Sequence, residues 1–241
     1  MSFYSDKFIL KYSDIGNSNN FNIKSLISYL QEMACAHSTA VGYGLNDTER
    51  TNVAWLLLDW KVKMFSHPRF NEELTFKTWP RGFEKFYSHR DFEVFDSSNN
   101  LVAIASSKWV LINAKTKRIG KINDTILNAY GIEEKAVFDE PLDERPKVPD
   151  NLTLNFTYTI QRRDIDTNGH VNNIHYIDYA LETLPEDIYN SNEFDNIEIH
   201  YKKEIKYGDT INCYYSFENN KHIVVIKSED DSIVHSIIKL Y

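Results

Sequence analysis

Apolar residues recur at three- and four-residue steps in two stretches of this chain, and they form short runs between turn residues elsewhere. The first stretch, residues 22–41, predicts an amphipathic helix that Gly42 and Gly44 end. The second, residues 171–184, predicts a helix that ends near Pro185. The short runs predict β-strands, at residues 3–12, 53–64, 74–79, 88–95, 101–112, 152–162, 197–205, 210–217, 222–227 and 233–240.

The predicted elements occur twice in the same order. Each half of the chain has a strand, a long helix and then about four strands. A shift of 150 residues pairs Asp14 with Asp164 and Tyr29 with Tyr179, which is typical of an internal repeat. We therefore expect an α+β fold in which an antiparallel sheet wraps a long helix, twice over.

The segment between the two halves has a different composition. Residues 115–150 contain one short predicted helix, near residues 126–132, and end in three prolines among charged residues. Such a composition is typical of a linker. We predict an N-terminal repeat at residues 1–138, a linker at 139–150 and a C-terminal repeat at 151–241.

Composition and charge disfavour several classes of function. The net charge of −8 disfavours general nucleic-acid binding, and no apolar run is long enough to span a bilayer. The N-terminus lacks the basic-then-apolar pattern of a signal peptide. Cys35 and Cys213 lack metal-site spacing, and His170 and His175 lack a Cys or Glu partner at ligand spacing. We expect a cytoplasmic protein with reduced thiols, no cofactor and no metal site.

The densest group of reactive side chains precedes the second predicted helix. Asp166, Asn168 and His170 stand two residues apart in a polar loop. Backbone N–H groups at a helix start favour negative charge, and imidazole exchanges protons near neutrality. This combination indicates a site that hydrolyses an acyl bond. Under the 150-residue shift the first half carries neither the acid nor the base, which assigns the chemistry to the C-terminal half. The matching positions are Gly16, Ser18 and Asn20.

Longer sequence runs in both halves carry a resemblance to a known family. They are residues 12–16 (YSDIG), 30–32 (LQE), 55–57 (WLL), 105–110 (ASSKWV), 113–118 (NAKTKR), 166–173 (DTNGHVNN) with Tyr176, and 201–204 (YKKE). Together they resemble the acyl-acyl-carrier-protein (acyl-ACP) thioesterases, double-hotdog enzymes of plants and bacteria. The resemblance covers nearly the whole chain.

The resemblance implies a tandem hotdog fold and a catalytic group of four residues. These are Asp166, Asn168, His170 and Glu204. It also implies hydrolysis of the thioester of fatty acyl-ACP, which releases free fatty acid and ends chain elongation. Some family members carry Cys directly after the Glu. This chain has Ile205 there, so a Cys–His mechanism through that position is excluded.

The expected mechanism is general-base hydrolysis. Glu204, helped by His170, activates water, while Asn168 and a backbone N–H near Val171, at the predicted helix start, hold the oxyanion. Two roles stay open for Asp166, which either orients its neighbours or attacks the thioester to form a mixed anhydride. Simpler structural interpretations compete at each position. These are a turn or cap for Asp166 and Asn168, and a surface ion pair for Glu204, which the strand pattern places on one face with Lys202.

Acyl-carrier protein is the partner that the resemblance implies, and its acidity requires basic docking residues. Candidates in the sequence are Arg81, Lys85, Arg90, Lys202, Lys203 and Lys206. The family places the acyl channel in the N-terminal half, between helix and sheet. Candidate wall residues are Leu26, Ile27, Leu30, Met33, Val53, Trp55 and Leu57. A homodimer stays open, and a bacterial source is expected.

Three other functions compete with acyl-ACP hydrolysis. The first is an acyl-CoA thioesterase on the same fold, and the second is a non-catalytic acyl-binding hotdog protein. The second is disfavoured because acid, amide, imidazole and Glu204 all occur in one half. A hotdog dehydratase is the weakest alternative.

Overall fold

The computed structural model describes residues 3–16, 18–140, 145–191 and 194–241. The chain divides into two compact units, Met1–Leu142 and Asp143–Tyr241. The predicted linker at 139–150 includes residues 141–144, which lie outside the described residues. The predicted repeat and linker boundaries therefore stay predictions.

The first unit is an antiparallel sheet with one long helix. Its elements are β1 (Tyr4–Ile9), α1 (Ile23–Ala40), α2 (Thr48–Thr51), β2 (Val53–Met64), β3 (Glu73–Phe83), β4 (Tyr87–Phe95), β5 (Leu101–Asn113) and α3 (Asp124–Tyr130). The strands pair in the order β1-β3-β4-β5-β2. The predicted order of strand, helix and four strands is confirmed here.

Helix α1 forms because its apolar residues share one face and its first turn is capped. The Asn22 side chain accepts a hydrogen bond from the backbone N–H of Ser25 at 2.8 Å, which satisfies a donor that the helix leaves unpaired. The buried face packs against β1 and β3. Its buried residues are Ile23, Leu26, Ile27, Leu30, Met33, Ala34 and His37.

The second unit repeats this arrangement. Its elements are β6 (Thr153–Thr159), α4 (His175–Thr183), α5 (Glu186–Ser191), β7 (Asn196–Tyr201), β8 (Thr210–Glu218), β9 (Lys221–Ser228) and β10 (Val234–Leu240). The strands pair antiparallel in the order β6-β8-β9-β10-β7, which is the order of the first unit. Helix α4 buries Tyr176, Ile177, Tyr179, Ala180 and Thr183. The α+β prediction is confirmed in both units.

The predicted start of the second helix is wrong. Helix α4 begins at His175 and not at Val171. The Val171 N–H donates to the carbonyl of Ile205 at 2.9 Å, and the Asn172 N–H donates to the carbonyl of Asp164 at 2.8 Å. The Val171 bond accompanies the Ile165–Val171 β-bridge. Together the two bonds keep Val171 and Asn172 out of the helix.

The predicted strand 197–205 is too long. Strand β7 ends at Tyr201, because the backbone N–H groups of Lys202 and Lys203 both donate to the His235 carbonyl, at 2.8 and 3.2 Å. Two donors on one acceptor break the strand register. Glu204 therefore lies in the loop after β7, and its predicted alternation with Lys202 does not apply. The short helices α2 and α5 were not predicted.

Candidate active site

A tight loop at residues 164–172, the second-repeat loop, presents three of the predicted catalytic residues. Ile165 and Val171 form a β-bridge across its base, and the Asp166 N–H donates to the His170 carbonyl at 2.8 Å. Gly169 turns the tip with a φ of 80°, a left-handed conformation that glycine adopts without steric cost. The loop therefore places Asp166 and His170 side by side.

The Asp166 carboxylate is bonded within its own loop. Its Oδ1 accepts from the backbone N–H of Asn168 at 2.8 Å and from that of His170 at 3.4 Å. Its Oδ2 accepts from Asn168 Nδ2 at 3.2 Å. This is the Asx-turn that aspartate commonly forms. Both oxygens act as acceptors that shape the loop around His170.

Glu204 comes from a different part of the chain and meets the loop at His170. Its Oε1 lies 3.9 Å from His170 Nε2, and the two side chains are 45% and 35% exposed. This separation is longer than a hydrogen bond, but catalytic hydrogen bonds commonly tighten only when the substrate binds. The acid, the amide, the imidazole and the later carboxylate thus lie together in one unit, as the sequence predicts.

Ile205 fixes the position of Glu204 relative to the loop. Ile205 is fully buried, and its carbonyl accepts the Val171 N–H at 2.9 Å. The Val171 N–H already donates to this carbonyl and is not available to an oxyanion, so the prediction of a backbone N–H near Val171 as the donor depends on its neighbours. The N–H groups of Asn172, Ile174 and His175 are also bonded. In the described part of the chain, the N–H of Asn173 has no acceptor.

The first unit contains a counterpart of this site without its chemistry. Its loop at residues 14–22, the first-repeat loop, has the same base: Ile15 and Phe21 form a β-bridge. The Phe21 N–H donates to the Pro68 carbonyl at 2.7 Å, as Val171 does to Ile205. Pro68 is thus the counterpart of Ile205, and His67 is the counterpart of Glu204.

The sequence carries a signal for this second correspondence that the 150-residue shift missed. Residues 68–72 (PRFNE) align with residues 205–209 (IKYGD) at a shift of 137. Their hydrogen bonds match as well. The backbone carbonyl of Glu72 accepts the Leu10 N–H at 2.9 Å, and the backbone carbonyl of Asp209 accepts the Ile160 N–H at 2.9 Å. The basic, aromatic and acidic positions of the two runs agree, so a search that allowed a shorter spacing would have found them.

The two cysteines lie in α1 and β8 and not in the second-repeat loop. Both cysteines are free, Cys35 exposed and Cys213 buried. Burial raises the pKa of the Cys213 thiol to about 12, which leaves almost none of the reactive thiolate at neutral pH. The arrangement gives Cys213 no role as a nucleophile.

Arg90 was predicted as a docking residue, and this prediction is wrong. The side chain is buried, with 5% exposure. Its Nη1 donates to Thr78 Oγ1 at 3.1 Å and lies 2.9 Å from His37 Nδ1, and burial lowers the pKa of Arg90 to about 10. By contrast, Lys202, Lys203 and Lys206 are exposed on either side of Glu204.

Two family models match this chain in succession. The acyl-ACP thioesterase N-terminal domain matches residues 2–130, and the acyl-ACP thioesterase C-terminal domain matches residues 149–238. The chain belongs to the acyl-ACP thioesterase family. The resemblance drawn from the sequence runs is confirmed.

Individual members of the acyl-ACP thioesterase family are distant in sequence. The chain is 26% identical over 224 residues to oleoyl-acyl carrier protein thioesterase 1, chloroplastic, of Arabidopsis thaliana, covering 86% of this chain and 62% of that protein. It is also 26% identical over 209 residues to dodecanoyl-[acyl-carrier-protein] hydrolase, chloroplastic, of Cinnamomum camphora, covering 82% and 55%. The chain thus spans less than two thirds of the length of either relative.

Solved structures of the family share the fold. An acyl-ACP thioesterase from Bacteroides thetaiotaomicron matches with a TM-score of 0.88 at 24% identity, covering 99% of this chain and 96% of that one. The 12:0-ACP thioesterase from Umbellularia californica matches with a TM-score of 0.85 at 19% identity, with the same coverage. The predicted hotdog fold is confirmed. Among the helices that the structure describes, none is long and apolar enough to cross a membrane.

Proposed function

We propose that this family member hydrolyses the thioester of fatty acyl-ACP and releases free fatty acid, which ends chain elongation. The observation that carries the proposal is the approach of Glu204 Oε1 to His170 Nε2, at 3.9 Å, beside Asp166 and Asn168. Family membership supports the substrate class. In this proposal the C-terminal repeat does the chemistry and the N-terminal repeat holds the acyl chain.

The proposed reaction is attack by water on the acyl carbonyl. Glu204, helped by His170, takes a proton from the water while the water oxygen bonds to the carbonyl carbon. The resulting oxyanion collapses, the carbon–sulfur bond breaks, and the thiol of the carrier protein's phosphopantetheine arm leaves with a proton. Both side chains are partly exposed, which supports access by water.

Two donors are proposed for the oxyanion. The Asn168 carboxamide has two N–H donors, and one of them is used by Asp166, which leaves the other for substrate. The second donor is the Asn173 N–H, which lies just before α4 and has no acceptor among the described residues. It is proposed as the backbone N–H near Val171 that the sequence-based mechanism calls for. Such preorganised donors commonly contribute a large share of the rate.

Asp166 is proposed to orient the site and not to attack the substrate. Its two oxygens already accept three hydrogen bonds from Asn168 and His170. A nucleophilic attack would break these bonds at the moment when the loop must hold His170 in place. The sequence left two roles open for Asp166, orienting its neighbours or attacking the thioester, and the geometry favours the first.

The acyl chain is proposed to lie in the N-terminal repeat, along the apolar face of α1. This placement rests on the family resemblance, and the candidate wall residues Leu26, Ile27, Leu30 and Met33 pack in the core of the unit. Acyl-carrier protein is proposed to dock on Lys202, Lys203 and Lys206, which flank Glu204 and are exposed. Homodimer formation and a bacterial cytoplasmic location stay predictions.

A substrate panel tests the proposed function. The purified protein is incubated with acyl-ACPs of different chain lengths and with the matching acyl-CoAs, and released fatty acids are identified by mass spectrometry. We expect a higher kcat/KM for the acyl-ACPs. A preference for acyl-CoA would instead assign an acyl-CoA thioesterase, and binding of acyl-ACP without turnover would assign a non-catalytic acyl-binding protein.

A further inference from the structure

Asp164, immediately before the proposed catalytic residues, has no role in the reaction above. It is 3% exposed. Its Oδ2 accepts from the backbone N–H of Gln161 at 2.7 Å and from the Tyr158 hydroxyl at 3.0 Å. A buried carboxylate is costly unless hydrogen bonds and charges compensate it, so this network holds Asp164 in one conformation.

The backbone of Asp164 forms the base of the second-repeat loop. Its carbonyl accepts the Asn172 N–H at 2.8 Å. The next rung of the ladder is the Ile165–Val171 bridge, and Val171 in turn donates to Ile205, beside Glu204. A displacement of Asp164 would therefore move both sides of the His170–Glu204 pair.

The first repeat has a corresponding aspartate, Asp14, which is only partly buried and has a different partner. Asp14 Oδ2 accepts from the Lys11 N–H at 2.7 Å and from the Tyr29 hydroxyl at 2.6 Å. The 150-residue shift places Phe8 where the second repeat has Tyr158. Phe8 has no hydroxyl. A hydrogen bond from the first strand to the aspartate therefore exists only in the repeat that carries the proposed catalytic residues.

Tyr158 is itself held in place by its surroundings. Its ring lies 5.3 Å from the ring of Tyr179 on α4, measured between centroids, and Arg163 Nη2 donates to its hydroxyl at 3.5 Å. The hydroxyl therefore connects strand β6 to the loop base through Asp164. This connection adds a second attachment of the loop base, besides the bond from Val171 to Ile205.

We propose that Tyr158 and Asp164 are positioning residues that set the approach of His170 to Glu204. The inference rests on the proposed hydrolysis of acyl-ACP and deepens it. The two residues act through the loop and do not contact the reacting atoms. Loss of the Tyr158 hydroxyl is expected to lower kcat while leaving KM nearly unchanged.

The first test is Tyr158→Phe, which gives the second repeat the residue found in the first. We expect a five- to tenfold fall in kcat for acyl-ACP, with KM within twofold. The matched control is Tyr29→Phe, which removes a hydroxyl bond to the aspartate of the other loop. The control is expected to lower Tm by a comparable amount while leaving kcat within twofold.

A double-mutant cycle separates positioning from general destabilisation. If Tyr158 acts through His170, then Tyr158→Phe costs no further rate in a His170→Ala background, measured with enzyme in excess. Asp164→Asn is expected to lower kcat more than Tyr158→Phe does in the parental background, and likewise to cost no further rate in the His170→Ala background. Equal losses in both backgrounds, or parental kcat in Tyr158→Phe, would overturn the inference.

Amide hydrogen exchange tests whether Tyr158 orders the second-repeat loop, and this test does not require an active enzyme. We expect faster exchange across residues 164–172 in Tyr158→Phe and unchanged exchange there in Tyr29→Phe. Unchanged exchange in Tyr158→Phe would also overturn the inference. If the parental protein releases no fatty acid from any thioester, the proposed function fails, and the exchange comparison still decides whether Tyr158 orders the loop.

Discussion

His67 occupies in the first repeat the backbone position that Glu204 occupies in the second. The residues that follow them, Pro68 and Ile205, each accept a backbone N–H from the corresponding loop, at 2.7 and 2.9 Å. The two repeats therefore share a scaffold and differ in the groups mounted on it. This relationship supplies matched control positions for Glu204 and Lys206, at His67 and Arg69.

Substitution of Glu204 by Gln tests its role as general base. Because the amide cannot take a proton from water, we expect kcat for acyl-ACP to fall by about 10²–10⁴, with KM little changed. The control is His67→Gln at the corresponding position, which should keep kcat within twofold. Steady-state kinetics with one acyl-ACP measures both. A similar loss in both variants would assign Glu204 a structural role.

Substitution of Asp166 distinguishes an orienting residue from a nucleophile. Asp166→Asn keeps one oxygen that can accept the Asn168 and His170 N–H groups, so we expect about a tenfold loss of kcat, or roughly 1.4 kcal/mol. Asp166→Ala keeps no acceptor and should lose more. A nucleophile would instead give equal, complete losses in the two variants. In the parental enzyme, trapping of a mixed anhydride by hydroxylamine would also show that Asp166 is a nucleophile.

Cys213 should be dispensable for catalysis. Burial raises the pKa of its thiol to about 12, and the residue lies in β8 and not in the loop that carries His170. We expect Cys213→Ser to keep kcat within twofold, although burial of the hydroxyl lowers Tm. Activity and thermal unfolding are measured on the same preparation. A loss of kcat greater than tenfold in a folded variant would contradict the assignment.

Carrier-protein docking on the lysines near Glu204 should depend on charge. We expect Lys206→Glu to raise KM for acyl-ACP five- to tenfold at low salt, because it places a like charge opposite an acidic partner. Arg69→Glu, at the corresponding exposed position of the first repeat, is the control. Hydrolysis of a short uncharged thioester should be unaffected in both. Salt should weaken the difference, since exposed charges are screened.

Hydrophobic periodicity predicted the long elements because their packing is local and regular. The limits of α1 agree with the prediction to within one residue at each end, since Asn22 caps it and the apolar positions keep one face. The start of α4 was mispredicted, although apolar residues continue back to Val171. There the N–H groups of Val171 and Asn172 donate to the Ile205 and Asp164 carbonyls, which holds the backbone at a β-bridge and out of the helical conformation. A local pattern does not contain such distant acceptors.

The site residues could be named from the sequence, but their contacts could not. The spacing of Asp166, Asn168 and His170 is visible in the chain, whereas the bonding of Val171 to Ile205 depends on how a distant loop folds back. The exposure of the lysines near Glu204 and the burial of Arg90 likewise depend on tertiary packing. Charge in the sequence alone does not distinguish a docking residue from a buried guanidinium.

Glu198 should make the stability of the second unit sensitive to acid. Burial opposes its ionisation, but Lys221, Lys239 and Tyr241 outweigh this effect and lower the pKa of Glu198 to about 2. Because the folded pKa lies below that of the unfolded chain, near 4.3, the stabilisation is complete above pH 5. It is lost as the pH falls through about 2. With the side chain only 8% exposed, the contribution is on the order of 3 kcal/mol.

The comparison of Glu198→Gln with the parental protein measures this contribution. The parental Tm should fall steeply between pH 5 and pH 2.5, and the fall should be shallower in Glu198→Gln, which has no carboxylate to protonate. Glu73→Gln is the control, since Glu73 pairs with Lys7 at 2.7 Å in an exposed ion pair, and such pairs contribute little. The same acid dependence in Glu198→Gln and the parental protein would show that other carboxylates govern acid unfolding.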